Sequence, residues 1–578
     1  MTAYLLAIAV GPVQEFIAAA RRTRDLWFGS YVLSEISKAV AKAVKDQGAE
    51  LIFPAPHTDA DLAPGSSLNV ANIILAELQT QAPQAVVDAA RQASQQCWLR
   101  FTEQARREAA AVIDQNIWND QVDDVIEFYA AWVPHADPQR YQHDRARLMR
   151  LLDGRKTCRN FLPTKGRAGV PKSSLDGQRE SVLKQEDRSA WPTALRLSSG
   201  EQLDVVGLTK RLGTMEAGND PRYPSVSRVA AEAWLQGLHR QGKLEPLKAA
   251  CERLVKKGLR KVREASYQYF PYEGTIVYQH RHPDLREELG LAPSDLNEVV
   301  SALKKIDTEP DPYLAVLVAD GDHMGKAIAQ LGSADAHQAF SRALAMFAGE
   351  AKAIVERHRG VLVYAGGDDV LAFLPVDQSL DCARALHNTF SERLTNYGML
   401  TFSVGIAIGH FLETLEDLLD YGRAAEQHAK NPQPADGPHQ RSRNGLAMHV
   451  WKRSGSPIMI RANWSDNPDA HLQDLARWIS VQAISGRVAY DLRCIASVYD
   501  GWPEEHVREA IQRDTIAIMK RKRPRGDSRM DEIEQLVHDR VHDASSLRRI
   551  SDELLVASRI AAVMRQSGGE HRSEEVAG

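Results

Sequence analysis

Apolar and polar residues along this chain follow two periods, and the switches between them outline its elements. YLLAIAV at 4 to 10 is a continuous apolar run stopped by Gly11-Pro12, which reads as a buried strand. Helical spacing follows over 15 to 46, then LIFPAP at 51 to 56 and a second β-like run, NVANIILAEL, from 69. From about 84 to 115 the apolar positions Val86, Ala90, Ala93, Trp98 and Phe101 again fall at helical spacing. Residues 1–130 are therefore expected to form a small α/β domain. Over 131–307 helices are broken by polar loops, and the loop 154–186 is rich in Lys, Arg, Gly, Ser and Pro. YEGTIVYQHR at 272 to 281 reads as an isolated hairpin or edge strand.

The clearest succession begins after the linker TEPDP at 308 to 312. It runs YLAVLVA (313 to 319), a helix over about 336 to 358, a hairpin, a helix over 379 to 397, TFSVGIAIG (401 to 409), a helix over 413 to 430 and GLAMHVW (445 to 451). The hairpin is VLVYAGGDDVLAFLP, two apolar runs around Gly366, Gly367, Asp368 and Asp369. The order β-α-β-β-α-β, with one further helix and strand, is the ferredoxin-like arrangement, assigned to 308–454. Residues 455–578 read as helical, with periodic segments at 471 to 500 and 505 to 519, a basic run KRKRPR at 520 to 525, and a disordered tail after about Gln566.

Length and composition narrow the function without deciding it. The 578 residues suggest roughly three to five domains. With 72 basic and 76 acidic side chains the total charge demands no polyanionic partner, so any nucleic-acid contact must be local. Arg21, Arg22 and Arg24 form one candidate for such a contact, although a solvated helix face explains them as well. No apolar run approaches the 18 or so residues of a membrane span, and no basic residues precede the first apolar run as in a signal peptide. Five cysteines lie far apart without a CxxC pair, which argues against a disulfide framework and fits a cytoplasmic protein. The dipeptides His143-Asp144, His538-Asp539 and His542-Asp543 lack the further ligands of a metal phosphohydrolase.

Candidate chemistry enters where the first strand of the third region ends, at DGDHMGK, 320 to 326. In the ferredoxin-like topology this end lies beside the hairpin tip, so Asp320, Asp368 and Asp369 should converge. Three crowded carboxylates raise one another's pKa, and a hard divalent cation relieves them. Oxygen ligands point to Mg²⁺ or Mn²⁺, and two such ions suit transfer from a nucleoside triphosphate. Gly321 and Gly325 supply backbone N–H groups for phosphate oxygens, and Lys430 is placed to reach a phosphate or simply to favour a helix C-terminus. An internal echo accompanies this site. YLLAIAV with Gly11-Pro12 resembles YLAVLVA with Asp320-Gly321, so the first domain reads as a second copy without metals. The expected fold class is α+β and multidomain, with two ferredoxin-like units and helical middle and C-terminal domains.

DGDHMG with AGGDD resembles the catalytic palm of the large signature subunit of type III CRISPR effector complexes. GPVQEFIAAARRTRDLWFGSYVLS at 11 to 34 resembles the start of its Cmr-type branch, and RKTCRNF, PKSSLDGQRES, VVGLTKRLG and RYPSVSRVA follow in that branch's order. The resemblance implies a complex with guide RNA, target RNA and other subunits, whose large subunit joins ATP into cyclic oligoadenylate. It implies Asp320, Asp368 and Asp369 as catalytic and metal-binding, with the Gly321 carbonyl as a further ligand. Gly321, Met324, Gly325, Ser341, Gly366, Gly367 and Lys430 would contact nucleotide, Ser341 being equally suited to a structural role. Many members carry an N-terminal HD nuclease domain, and none is expected here. Members often bind zinc through four cysteines, yet Ser173 and Asp176 stand where a CxxC is usual and Asp204 where another thiolate would be, so zinc is not expected. Three alternatives remain at this point: a non-catalytic scaffold, adenylyl transfer to another acceptor, and a free-standing enzyme like a diguanylate cyclase.

Overall fold

The computed structural model describes residues 2–158, 166–185, 191, 195, 197, 200–215, 223–263, 265–437, 440–521 and 530–568. Two sheets organise the fold. The first contains β1 (Thr2–Gly11), β2 (Glu50–Phe53), β3 (Ile73–Thr80) and β4 (Glu127–Pro134) in the order β2-β3-β1-β4, all neighbours antiparallel. The second contains β5 (Tyr313–Asp322), β6 (Val361–Gly366), β7 (Asp369–Leu374), β8 (Thr401–His410), β9 (Gly445–Val450) and β10 (Ile458–Asn463) in the order β10-β9-β8-β5-β7-β6. The four strands β8-β5-β7-β6 repeat the order of the first sheet, so the chain holds two ferredoxin-like units of one topology. β9 extends the second sheet parallel to β8, and β10 closes that edge antiparallel.

Several boundaries differ from the sequence reading. β4 runs past the division drawn at 130, and β10 lies past the one drawn at 454. The first long helix is broken into Gln14–Ala18 and Thr23–Asp46. YEGTIVYQHR is neither hairpin nor edge strand. It forms two 3-10 turns, Gly274–Val277 and Gln279–Arg281, because Ile276, Val277 and Tyr278 are all buried. Gly274 also packs on the backbone of Arg228, where a side chain would collide. The C-terminal part is helical as read, but 471 to 500 splits into Pro468–Ser480 and Val488–Val498. Most of KRKRPR and the tail beyond Gly568 lie outside the described residues.

Alternation along β5 positions the chemistry. Ala315, Leu317 and Ala319 share a core with Phe347 and Phe390 of the helices Ala334–Arg357 and Ser379–Leu394. Val316 faces the opposite way, and with Val318 lies under Gly422 of the helix Leu415–Lys430. Asp320 continues this second row, so it emerges on the face whose covering helix ends in Lys430. Gly405 of β8 brings that helix close, since a Cβ there would overlap the backbone of Ala425 and Glu426.

The two units are in contact. The helix Ala334–Arg357 packs beside β2, and Gln338 donates to the Leu51 carbonyl at 3.0 Å. The Tyr141 hydroxyl lies 2.8 Å from His337 Nδ1, and Asn69 donates to the Ala365 carbonyl at 3.3 Å. Ser341, 4% exposed, accepts a hydrogen bond from the Ala55 amide at 3.1 Å.

Candidate active site

β5 and β7 are neighbours, with Ala319 opposite Val370, so the strand end and the hairpin tip meet. Carboxylate oxygens of Asp320, Asp368 and Asp369 lie within 4.8 Å of one another, the one group of this kind among the described residues. Gly366 pairs with Asp369 and the turn between them is Gly367-Asp368, with Gly367 at φ +83°, a conformation that favours glycine. The other glycines fit by shape. At Gly321 a Cβ would sit 2.8 Å from Met324 and 2.9 Å from Asp368, and at Gly366 it would strike the Tyr364 ring. Met324 is buried, whereas Gly325 faces open space at the start of the short helix Met324–Gln330.

The charges are unequal across this cluster. Burial pushes Asp320 up, but hydrogen bonds with Asp369 and Lys430 more than offset it and hold its carboxyl below the usual range. Asp368 and Asp369 are raised well above it, first by burial and then by Asp320, to which Asp368 adds for Asp369. Asp369 is solvent-exposed, which moderates its shift through screening. Lys430 pairs with both Asp320 and Glu426, so its ammonium stands beside the acids. Three carboxylates whose crowding and burial raise the pKa of two of them offer hard oxygen donors that fit Mg²⁺ or Mn²⁺, which would compete with protons there.

Residues 313–437 match the family model for the second palm domain of Cas10/Cmr2, and residues 5–114 match the N-terminal model of CRISPR-associated protein Cmr2. These two stretches are similar to the Cmr-type Cas10 large subunits. The CRISPR system Cmr subunit Cmr2 of Pyrococcus furiosus is 27% identical over 274 residues, which cover 42% of this chain and 30% of that protein's length. The fold matches the type III-B Cmr-beta structure in its apo state with a TM-score of 0.67 at 15% identity, over 97% of this chain and 82% of that one. It matches Cmr-beta bound to cognate target RNA with a TM-score of 0.62 at 14% identity, over 91% and 79%.

Within this Cas10/Cmr2-type palm, the predicted residues divide into two groups. Asp320, Gly321, Met324, Gly366, Gly367, Asp368, Asp369 and Lys430 come together at the strand end and hairpin, with Gly325 just beyond. Ser341 does not lie in this cluster: its hydroxyl accepts from the Ala55 amide across the boundary between the units. The loop expected to replace a zinc site is tied by hydrogen bonds. Ser173 and Arg179 are joined through backbone, Asp176 accepts from the Gln178 amide, and Asp204 caps the helix Val205–Leu212. Residues 159–165 and 186 of that stretch lie outside the described residues. The His-Asp dipeptides have local roles, Asp144 contacting His135 and His143, and Asp543 capping the helix Ala544–Ser567.

Sequence reasoning missed Asp322. It is fully buried and accepts hydrogen bonds from Thr401 (2.7 Å), Ser403 (2.8 Å), Arg443 (3.3 Å) and the Asn444 amide (2.9 Å). It thereby anchors the loop 440–444 against the palm face. Arg461 and Asn463 of β10 grip the same loop through its carbonyls, and Arg461 also binds the Ala429 carbonyl beside Lys430. The one signal in the sequence was the i, i+2 spacing from Asp320, which puts both acids on one strand face.

Proposed function

We propose that the chain is an ATP-polymerising subunit of an RNA-guided type III CRISPR complex, making cyclic oligoadenylate when target RNA is captured. The observation that carries this reading is the convergence of Asp320 with Asp368 and Asp369 in a palm of the Cas10/Cmr2 kind. In the reaction a ribose hydroxyl of one ATP attacks the α-phosphorus of another. An O–P bond forms, the bond to the bridging oxygen of pyrophosphate breaks, and the hydroxyl proton leaves to solvent. Repetition and closure give the ring.

Asp320, Asp368 and Asp369, with the Gly321 carbonyl, would hold two divalent ions, whose chemistry is to neutralise the triphosphate and the developing oxyanions. The chain's own residues align and shield. Gly366 and Gly367 keep the hairpin free of side chains where a nucleotide approaches, and Lys430 adds positive charge next to the acids. Guide RNA, target RNA and further subunits are the proposed partners. The test is mass spectrometry of products from ATP, Mg²⁺ or Mn²⁺, the assembled complex and matching target RNA. Oligoadenylate from wild type and none from an Asp368→Ala, Asp369→Ala double variant supports the reading, and equal product from both refutes it.

A further inference from the structure

A cavity of about 600 Å³ opens between the start of the helix Thr23–Asp46, the segment 258–289 and the turn 411–415. Five arginines line it: Arg21, Arg22, Arg24, Arg260 and Arg281. Three are committed within the chain. Arg24 donates to the carbonyls of Lys210, Arg211 and Gly213, Arg22 pairs with Glu288 at 3.3 Å, and Arg281 with Asp284 at 2.5 Å. The side chains of Arg21 and Arg260 make no hydrogen bond or close ion pair among the described residues. Arg21 is exposed, but Arg260 is half-buried, and burial together with the charge of Arg22 pulls its pKa down to about 10. Glu273 and Glu288 of the same lining offset part of this charge without pairing closely with it, and an anion from outside the chain would supply the close partner that the Arg260 guanidinium lacks.

The rest of the lining adds to the case. The first turn of the helix Thr23–Asp46 faces this space without a side-chain cap, which leaves amide donors for an anion. Phe411 and Leu285 form an apolar floor, the Phe411 ring being packed against Tyr278 and His410. The volume falls within the usual range for a small-molecule site. This cavity is not the triad. The turn 411–415 follows His410, which pairs with Tyr313 at the start of β5, whereas Asp320 pairs with Ser403 seven residues further along. The two places are roughly 23 Å apart along the strand.

We propose that this cavity is a second, phosphate-binding site that takes the phosphate of one nucleotide unit at Arg21 and Arg260. The phosphate belongs either to single-stranded RNA or to a free nucleotide, and the test separates them. Full-length protein in EDTA, which suppresses divalent-dependent binding at the triad, is titrated with a 3′-labelled ten-nucleotide RNA by anisotropy and with ATP and pyrophosphate by calorimetry. Arg260→Ala and Arg21→Glu should each raise the Kd of at least one probe about tenfold, the effect of losing a charged hydrogen bond. Asp368→Asn should leave it unchanged. For RNA, each lost phosphate contact should also lower the slope of log K against log salt by about 0.7. Arg260 dependence with RNA alone assigns the site to a strand, and with ATP or pyrophosphate to a free nucleotide. Arg21→Glu lies on the exposed side and tests the site even if Arg260→Ala lowers the melting temperature. Binding of every probe indifferent to both arginines, or no binding by wild type, overturns the proposal.

Discussion

The two ferredoxin-like units share a strand order and differ at one end. In the second, β5 carries Asp320 two residues before its end, beside a hairpin whose turn is only Gly367-Asp368. In the first, β1 finishes in Gly11, and residues 54–72 separate β2 from β3, so no acidic tip returns to the strand end. The same scaffold thus supports two tasks, because strand order fixes where a site lies and a few terminal residues decide whether it carries charge. The first unit instead holds the second in place through Gln338, Asn69, Tyr141 and Ser341.

The comparison breaks most sharply if acid is removed from one unit or added to the other. Asp320→Asn should abolish oligoadenylate formation by about 10³-fold or more, while Gly11→Asp should create no activity in that variant, as read by product mass spectrometry. Lys430→Ala should lower the rate by about 10²-fold, since it removes a cation beside the reacting phosphates, and Lys430→Arg should restore part of it. Asp322→Ala should cost about 2–4 kcal/mol of stability, measured by denaturant unfolding, because Arg443 and the Asn444 amide lose their buried acceptor.

A smaller effect concerns pH. Asp368 and Asp369 have folded-state pKa values raised above those of the unfolded chain, so the metal-free fold binds more protons and loses stability as pH rises from about 4 through the raised values. Mg²⁺ displaces those protons, so its stabilising shift in melting temperature should be greater at pH 8 than at pH 6 and should shrink in Asp368→Asn. Ser341→Ala should have the smallest effect, about 1 kcal/mol, without changing the KM for ATP.

The acid cluster was legible in the sequence because both halves are local. A continuous apolar strand ending in Asp and a Gly-Gly-Asp-Asp turn each announce themselves, and the β-α-β-β-α-β order joins them. Asp322 was not legible as an anchor because its partners come from β8 and the loop before β9, 79 to 122 residues away. β10 itself, IMIRAN, is short and ends in polar Arg461 and Asn463 around one alanine, and it is a strand because β9 offers an edge. The helix at 415–430 was legible, but not why it lies so close to β8, which depends on Gly405 facing backbone rather than on periodicity. Ser341 was named as a nucleotide contact through the resemblance, with a structural role equally suited, and the bond from Ala55 to its hydroxyl depends on the packing of one unit on the other.

The central claim is that one unit, through three acids, binds divalent metal and the other does not. Titration of Mn²⁺ into the full-length chain, followed by electron paramagnetic resonance, addresses it directly. Tight Mn²⁺ binding by wild type that disappears in an Asp320→Asn, Asp368→Asn variant, with Gly11→Asp unable to restore it, is the predicted result. Undiminished Mn²⁺ binding after removal of those acids would contradict the account.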